Sequence, residues 1–93
     1  MSSLTTPITL LSAVVATGAS RAVQVDAGLP AFLQSTGITV ATVTFEGSLD
    51  GTNWSIRGTM SADSIVTLAN APPYLRANVT AWTSGTITVK ILY

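Results

Sequence analysis

The chain lacks both residue types that most often build catalytic and metal centres. It has no histidine and no cysteine in 93 residues. The absence of cysteine removes any disulfide framework. Without either residue the usual nucleophile–base pairs are missing. Charge is also scarce. Asp26, Glu46, Asp50, Asp63, Arg21, Arg57, Arg76 and Lys90 make up 9% of residues and sum to zero, against a typical ~25%. The four basic residues are dispersed, which argues against nucleic acid as a partner. No apolar run approaches the ~18 residues of a membrane helix. Ile8–Ala16 imitates the apolar region of a signal peptide. No Lys or Arg precedes it and Pro7 opens it, so a buried first strand is expected.

What remains is apolar and rich in hydroxyls. Hydrophobic residues reach 47%, mean hydropathy is +0.53, and Ser and Thr supply 25 positions. A small domain buries only a little over ~60% of its unfolded surface. A neutral surface on such a chain favours self-association. The simplest resolution is that part of the surface lies against other chains.

No segment carries a helical period over ~11 residues. Alternating runs are broken by Gly, Pro, Asn and Ser every ~8–12 residues, which predicts an all-β domain. The expected architecture is a single small antiparallel β-sandwich of jelly-roll type, with six to eight short strands. A flexible arm over residues 1–7 precedes the sandwich over residues 8–93. Strands are expected at Ile8–Ala16, Arg21–Asp26, Ile38–Ser48, Trp54–Met60, Ser64–Leu68 and from Tyr74 onward, with a further short one at Ala31–Gln34. Ser35-Thr36-Gly37 reads as a loop and Thr83-Ser84-Gly85 as a hairpin turn. Parity within Ile38–Ser48 is imperfect: either both faces are buried or a bulge sits near Ala41-Thr42. Leu75, Ala77, Val79 and Ala81 are expected inside. Tyr74, Arg76, Asn78, Thr80 and Trp82 are expected outside. In the closing strand Ile87, Val89, Ile91 and Tyr93 should share the inner face.

Gly47-Ser48-Leu49-Asp50-Gly51-Thr52-Asn53-Trp54 is the clearest local signal. Asp50-Gly51 predicts a hairpin because Gly takes positive φ freely and Asp tolerates it. Trp54 is expected to anchor the core, on one face with Ile56 and Met60. Glu46 and Asp50 are the closest carboxylates in sequence, and a strand end plus a turn former explain them better than an acid–base pair. Asp50, Thr52 and Asn53 offer oxygens in one loop, but turn chemistry explains them better than calcium. Asn53-Trp54-Ser55 and Asn78-Val79-Thr80 are formal glycosylation sequons that fall inside turn and strand grammar. Tyr74, Arg76 and Trp82 form an aromatic–Arg face with three readings: covered core, subunit interface, or a platform for sugars.

The stretch GSLDGTNW, followed by PPYLRANVTAWTSGTITVKILY, resembles small structural proteins of tailed-bacteriophage virions. The turn also resembles the S-x-D-G-x-x-W hairpin of discoidin-like jelly rolls, from which the chain departs by being much shorter. The resemblance implies a non-enzymatic capsid decoration (cement) protein, or a small tail or head-fibre component. It implies a place on the capsid surface of the virion, after synthesis in the host bacterial cytoplasm. The implied partners are the major capsid protein or other virion subunits and the chain itself, as a homo-oligomer such as a trimer. No cofactor, metal or catalytic residue is expected. The expected contact residues are Leu4 and Pro7 in the arm and Tyr74, Arg76 and Trp82 on the sheet. The alternative is a carbohydrate-binding or adhesion module of a tail or head fibre.

Overall fold

The computed structural model describes residues 7–93. Within them the chain is all-β and antiparallel. The strands are β1 (Ile8–Val14), β2 (Gly18–Ala19), β3 (Val23–Gln24), β4 (Ala31–Ser48), β5 (Ser55–Met60), β6 (Ser64–Leu68) and β7 (Tyr74–Leu92). Hydrogen bonding joins all seven into one sheet, in the order β1-β7-β4-β5. β2 and β3 pair with β7, and β6 pairs with β4. The all-β antiparallel expectation holds. The seven strands form one sheet that continues through two very long strands, where short strands were expected.

The spine is β4 against β7, paired from Phe32↔Leu92 to Ser48↔Tyr74. Each spans 18 or 19 residues, which would reach ~60 Å if straight. The molecule's longest dimension is 35 Å. Both strands must therefore bend sharply, and the sheet curls over its own interior. The flanking ribbons are interrupted where the spine bends. β6 pairs with Ala31–Ser35 and β5 with Val43–Gly47. On the other side β1 pairs with the last part of β7, while β2 and β3 pair with the first.

The bend is made by glycine. Gly37 (φ 80°) and Gly85 (φ 119°) lie close together across the pair. A methyl group on Gly37 would collide with the carbonyl oxygen of Thr86. One on Gly85 would lie 2.5 Å from the Gly37 oxygen. Asp63, in the gap between β5 and β6, accepts a hydrogen bond from the Ile38 amide at 2.8 Å. It thereby supplies the acceptor that a broken ladder would leave missing. The Trp82 indole donates to the Gly85 carbonyl at 3.0 Å. The segments 35–37 and 83–85, expected as a loop and a hairpin turn, thus lie inside continuous strands. Positive φ at glycine serves an irregularity within a ladder as well as it serves a turn.

The same irregularity reverses a parity. Thr42 pairs with Ala81 but Val43 pairs with Val79, which leaves Thr80 as an extra residue. A one-residue insertion sends the following side chains to the opposite faces. Ala81, expected inside, is exposed, and Trp82, expected outside, packs against the core. On β4 itself the extra residue is Thr39, between Ile38↔Gly85 and Val40↔Ser84. At Ala41-Thr42 the extra residues lie on β7, and from Ala41 to Ser48 both faces of β4 are covered, which accounts for the imperfect parity there. A further shift makes Arg57 the extra residue of β5, so Ile56 turns outward while Met60 stays buried.

The interior is one apolar cluster. Its largest fully buried side chains, among them Phe45, Leu33, Leu75, Ile87 and Ile91, all come from β4 or β7. Burying each contributes roughly 1.5–3 kcal/mol. Leu10 and Leu11 of β1, Val23, Val25, Met60 and Leu68 close its edges. One polar side chain is out of place. The Ser35 hydroxyl is fully buried and without a hydrogen-bond partner. An unsatisfied buried hydroxyl costs about 1–3 kcal/mol, so Ser35→Ala should be neutral or stabilising by up to about 1 kcal/mol. A urea titration with an unchanged slope and a higher midpoint is the expected result.

Candidate functional site

The sheet's outer face carries two features, one on each half. The first is built around the β4–β5 hairpin. Ser48 ends β4, and its hydroxyl accepts from the Asp50 and Gly51 amides at 3.2 and 2.9 Å. That hydroxyl donates to Asp50 Oδ1 at 2.9 Å. Asp50 Oδ1 also accepts from the Asn53 and Thr52 amides, both at 2.9 Å, and Oδ2 accepts from the Asn53 side chain at 2.8 Å. These donors, the Asn53 amide foremost, hold the Asp50 carboxyl well below the usual carboxylate range. Asp50 thus organises the turn, as expected. Its oxygens point at the loop's own N–H groups, so the loop does not gather oxygens around a cation. Among the described residues no group of three or more His, Cys, Asp or Glu side chains is placed to hold a metal ion.

Behind the turn, register places Glu46 opposite Arg76 and Thr44 opposite Asn78. Glu46 is buried among donors. Arg76 Nε meets Oε1 at 2.6 Å, and Asn78 Nδ2 and Thr44 Oγ1 meet Oε2 at 3.1 and 3.2 Å. Burial is the largest single influence on its titration and pushes it up. The Asn78 bond, the Arg76 bond and charge, and the Thr44 bond together outweigh burial and hold it below its ordinary value. The Arg76 guanidinium in turn lies over the Trp54 ring, 4.3 Å from its centroid. Trp54 is therefore a half-exposed cover over an ion pair, not the core anchor expected of it. The bulge at Arg57 and the turn before it leave Trp54 on the outer face. Tyr74 lies beneath the turn, with its ring 3.8 Å from where a Gly51 methyl would stand. Both carboxylates are thus held ionised by fixed donors. A general acid working near neutral pH needs the opposite shift.

The second feature is a cleft of about 150 Å³ on the other half. Pro7, Phe32, Ile65 and Leu92 give it apolar walls, with Gln34 and Lys90 at its rim. Phe32 pairs with Leu92, and Gln34 pairs with both Lys90 and Ile65, so these side chains share the face turned away from the core.

The expected contact residues are thus separated. Tyr74 and Arg76 belong to the hairpin feature, Pro7 to the cleft, and Trp82 to the bend, with its ring packed inward. Leu4 lies outside the described residues. Sequence reasoning misses the Thr44–Glu46–Asn78 network and the pairing of Trp54 with Arg76. Glu46 as the sole acid within a long apolar strand is the available signal, but its partner emerges only from the β4–β7 register.

No protein-family model, no curated protein and no solved structure matches this chain.

Proposed function

We propose that this chain is a non-enzymatic structural subunit of a tailed-phage virion, a head-shell decoration protein that works as a homo-oligomer. The observation that carries the reading is the character of its surface. Val15, Leu29, Val40, Leu49, Ile56 and Ile65 are all at least 46% exposed, on a chain with only 9% charged residues. Scattered apolar side chains are ordinary on a charged surface. On a nearly uncharged one they leave little to oppose association. The mechanism is additive burial against neighbouring subunits, at a scale of ~1,600 Å² for a specific contact. Binding the assembled form alone then stabilises it by mass action. The likeness of the GSLDGTNW hairpin to those of phage structural proteins supports the virion setting.

The test is co-sedimentation with empty head shells built from the major capsid protein of the same genome. Saturable co-pelleting is the expected result, weakened by Ile56→Asp. A protein that stays in the supernatant at every ratio sinks the decoration reading. For the glycan-binding alternative, Trp82 packs partly against the core and one face of Trp54 carries Arg76. That alternative predicts glycan-array hits that vanish in Trp54→Ala.

A further inference from the structure

The cleft on the half of the sheet away from the β4–β5 hairpin has an occupant available within the chain. Its apolar walls are Phe32, Ile65, Leu92 and Pro7. Pro7 is the first described residue. The segment Met1–Thr6 is therefore covalently tethered at the wall of the cleft itself. Its sequence is Met-Ser-Ser-Leu-Thr-Thr, in which Leu4 is the one large apolar residue between Met1 and Pro7. We propose that this cleft is the seat of the chain's own N-terminal segment, with Leu4 as the anchor.

Size, reach and tethering agree. A dry apolar cavity of ~150 Å³ holds one group about the size of benzene. The cleft is of that volume, so it suits a single aliphatic side chain and not a folded partner. Leu4 is three residues from Pro7, a span of up to ~10 Å. The flanking Ser2, Ser3, Thr5 and Thr6 would remain at the polar edge, beside Gln34 and Lys90. A segment tethered at the cleft wall has an effective concentration on the millimolar scale. It therefore outcompetes the same segment from another molecule in dilute solution. The seat does not depend on whether the chain joins an assembly. In an assembly the same leucine is the group that would have to be released or exchanged.

The natural lack of cysteine makes a clean test. The full chain carrying Leu4→Cys with Ile65→Cys is oxidised in dilute solution. It is compared with Leu4→Cys with Ile56→Cys, whose second site is equally exposed but lies on the other half of the sheet. The expected result is an intramolecular disulfide in the first pair, formed at least tenfold faster than in the second. Equal rates, no cross-link in either, or a cross-linked dimer in place of the monomer would each overturn the proposal. The last of these would assign the seat to a neighbour's segment. As an independent readout, Leu4→Ser should lower the unfolding midpoint by about 5 °C. It should do so far less in an Ile65→Ser background. Equal shifts in both backgrounds contradict the seat.

Discussion

Gly37→Ala is expected to leave the protein unfolded or in aggregates, although it adds a single methyl group. Gly37 sits at φ 80°, where an L side chain is strained by roughly 1–2 kcal/mol. That alone is survivable. The greater cost is steric. The new methyl would fall on the Thr86 carbonyl oxygen, a backbone atom fixed by the β4–β7 ladder that cannot swing aside as a side-chain tip can. Forcing extra atoms into packed structure costs about 1–3 kcal/mol where side chains can adjust, and more where they cannot. A domain of this size has only about 5–10 kcal/mol in hand. Gly28→Ala is the control. Gly28 also has positive φ, 85°, but open space where the methyl would go. Its expected cost is the strain alone, about 1 kcal/mol. Far-ultraviolet circular dichroism and urea unfolding of the two variants separate strain from collision. Equal midpoints would mean that the tight crossing at Gly37 does not exist.

Arg76→Leu is the second large effect. It strips Glu46 of its ion-pair partner while the carboxylate remains buried. Removing one member of a buried pair costs about 3–5 kcal/mol, mostly through the stranded charge. Arg76 is itself partly exposed, with 26% of its side chain accessible, so the lower end, about 3 kcal/mol, is expected. Adding Glu46→Gln should recover much of the loss, because the stranded charge is then gone. The pH dependence has a definite sign. The folded-state pKa of Glu46 lies below its unfolded value near 4.5. Its contribution is present above that value and lost as pH falls through the folded one. Acid-side loss of stability should therefore be shallower in Arg76→Leu than in the native chain. Asp50 contributes a loss of the same sign in both proteins, so the difference between the two curves isolates Glu46.

Much of the fold is legible in the sequence because the alternation is strong and its breaks are chemically explicit. Tyr74 to Val79 and Thr86 to Ile91 alternate as expected, and Asn70-Ala71-Pro72-Pro73 ends β6 as proline should. Asp50-Gly51 makes its turn for the reasons its side chain and φ suggest. The meaning of Gly37 and Gly85 is not legible. In sequence a glycine preceded by Ser and Thr looks the same at a turn and at a bend inside a strand. Only the pairing across β4 and β7 distinguishes them. Each misplaced side chain follows from that ambiguity or from a single-residue bulge. Counting in twos sends Trp82 outward, and Thr80 breaks the count. The same counting sends Trp54 and Ile56 inward, and Arg57 breaks that one. Residue type alone singles out Tyr74 and Arg76 as contact residues. Their setting with Glu46, Asn78 and Trp54 is a property of register, which one strand's sequence does not contain.

On this reading the uncharged faces exist to be covered by other chains. That idea stands or falls on the mass of the purified full chain in solution, by light scattering after size exclusion, over a wide range of concentration. A discrete small multiple of the 9.6 kDa chain mass is expected, a trimer being the leading form, with Ile56→Asp or Val40→Asp shifting the population toward monomer. A monodisperse 9.6 kDa species up to the solubility limit, unchanged by either substitution, would show that these faces are not built for association.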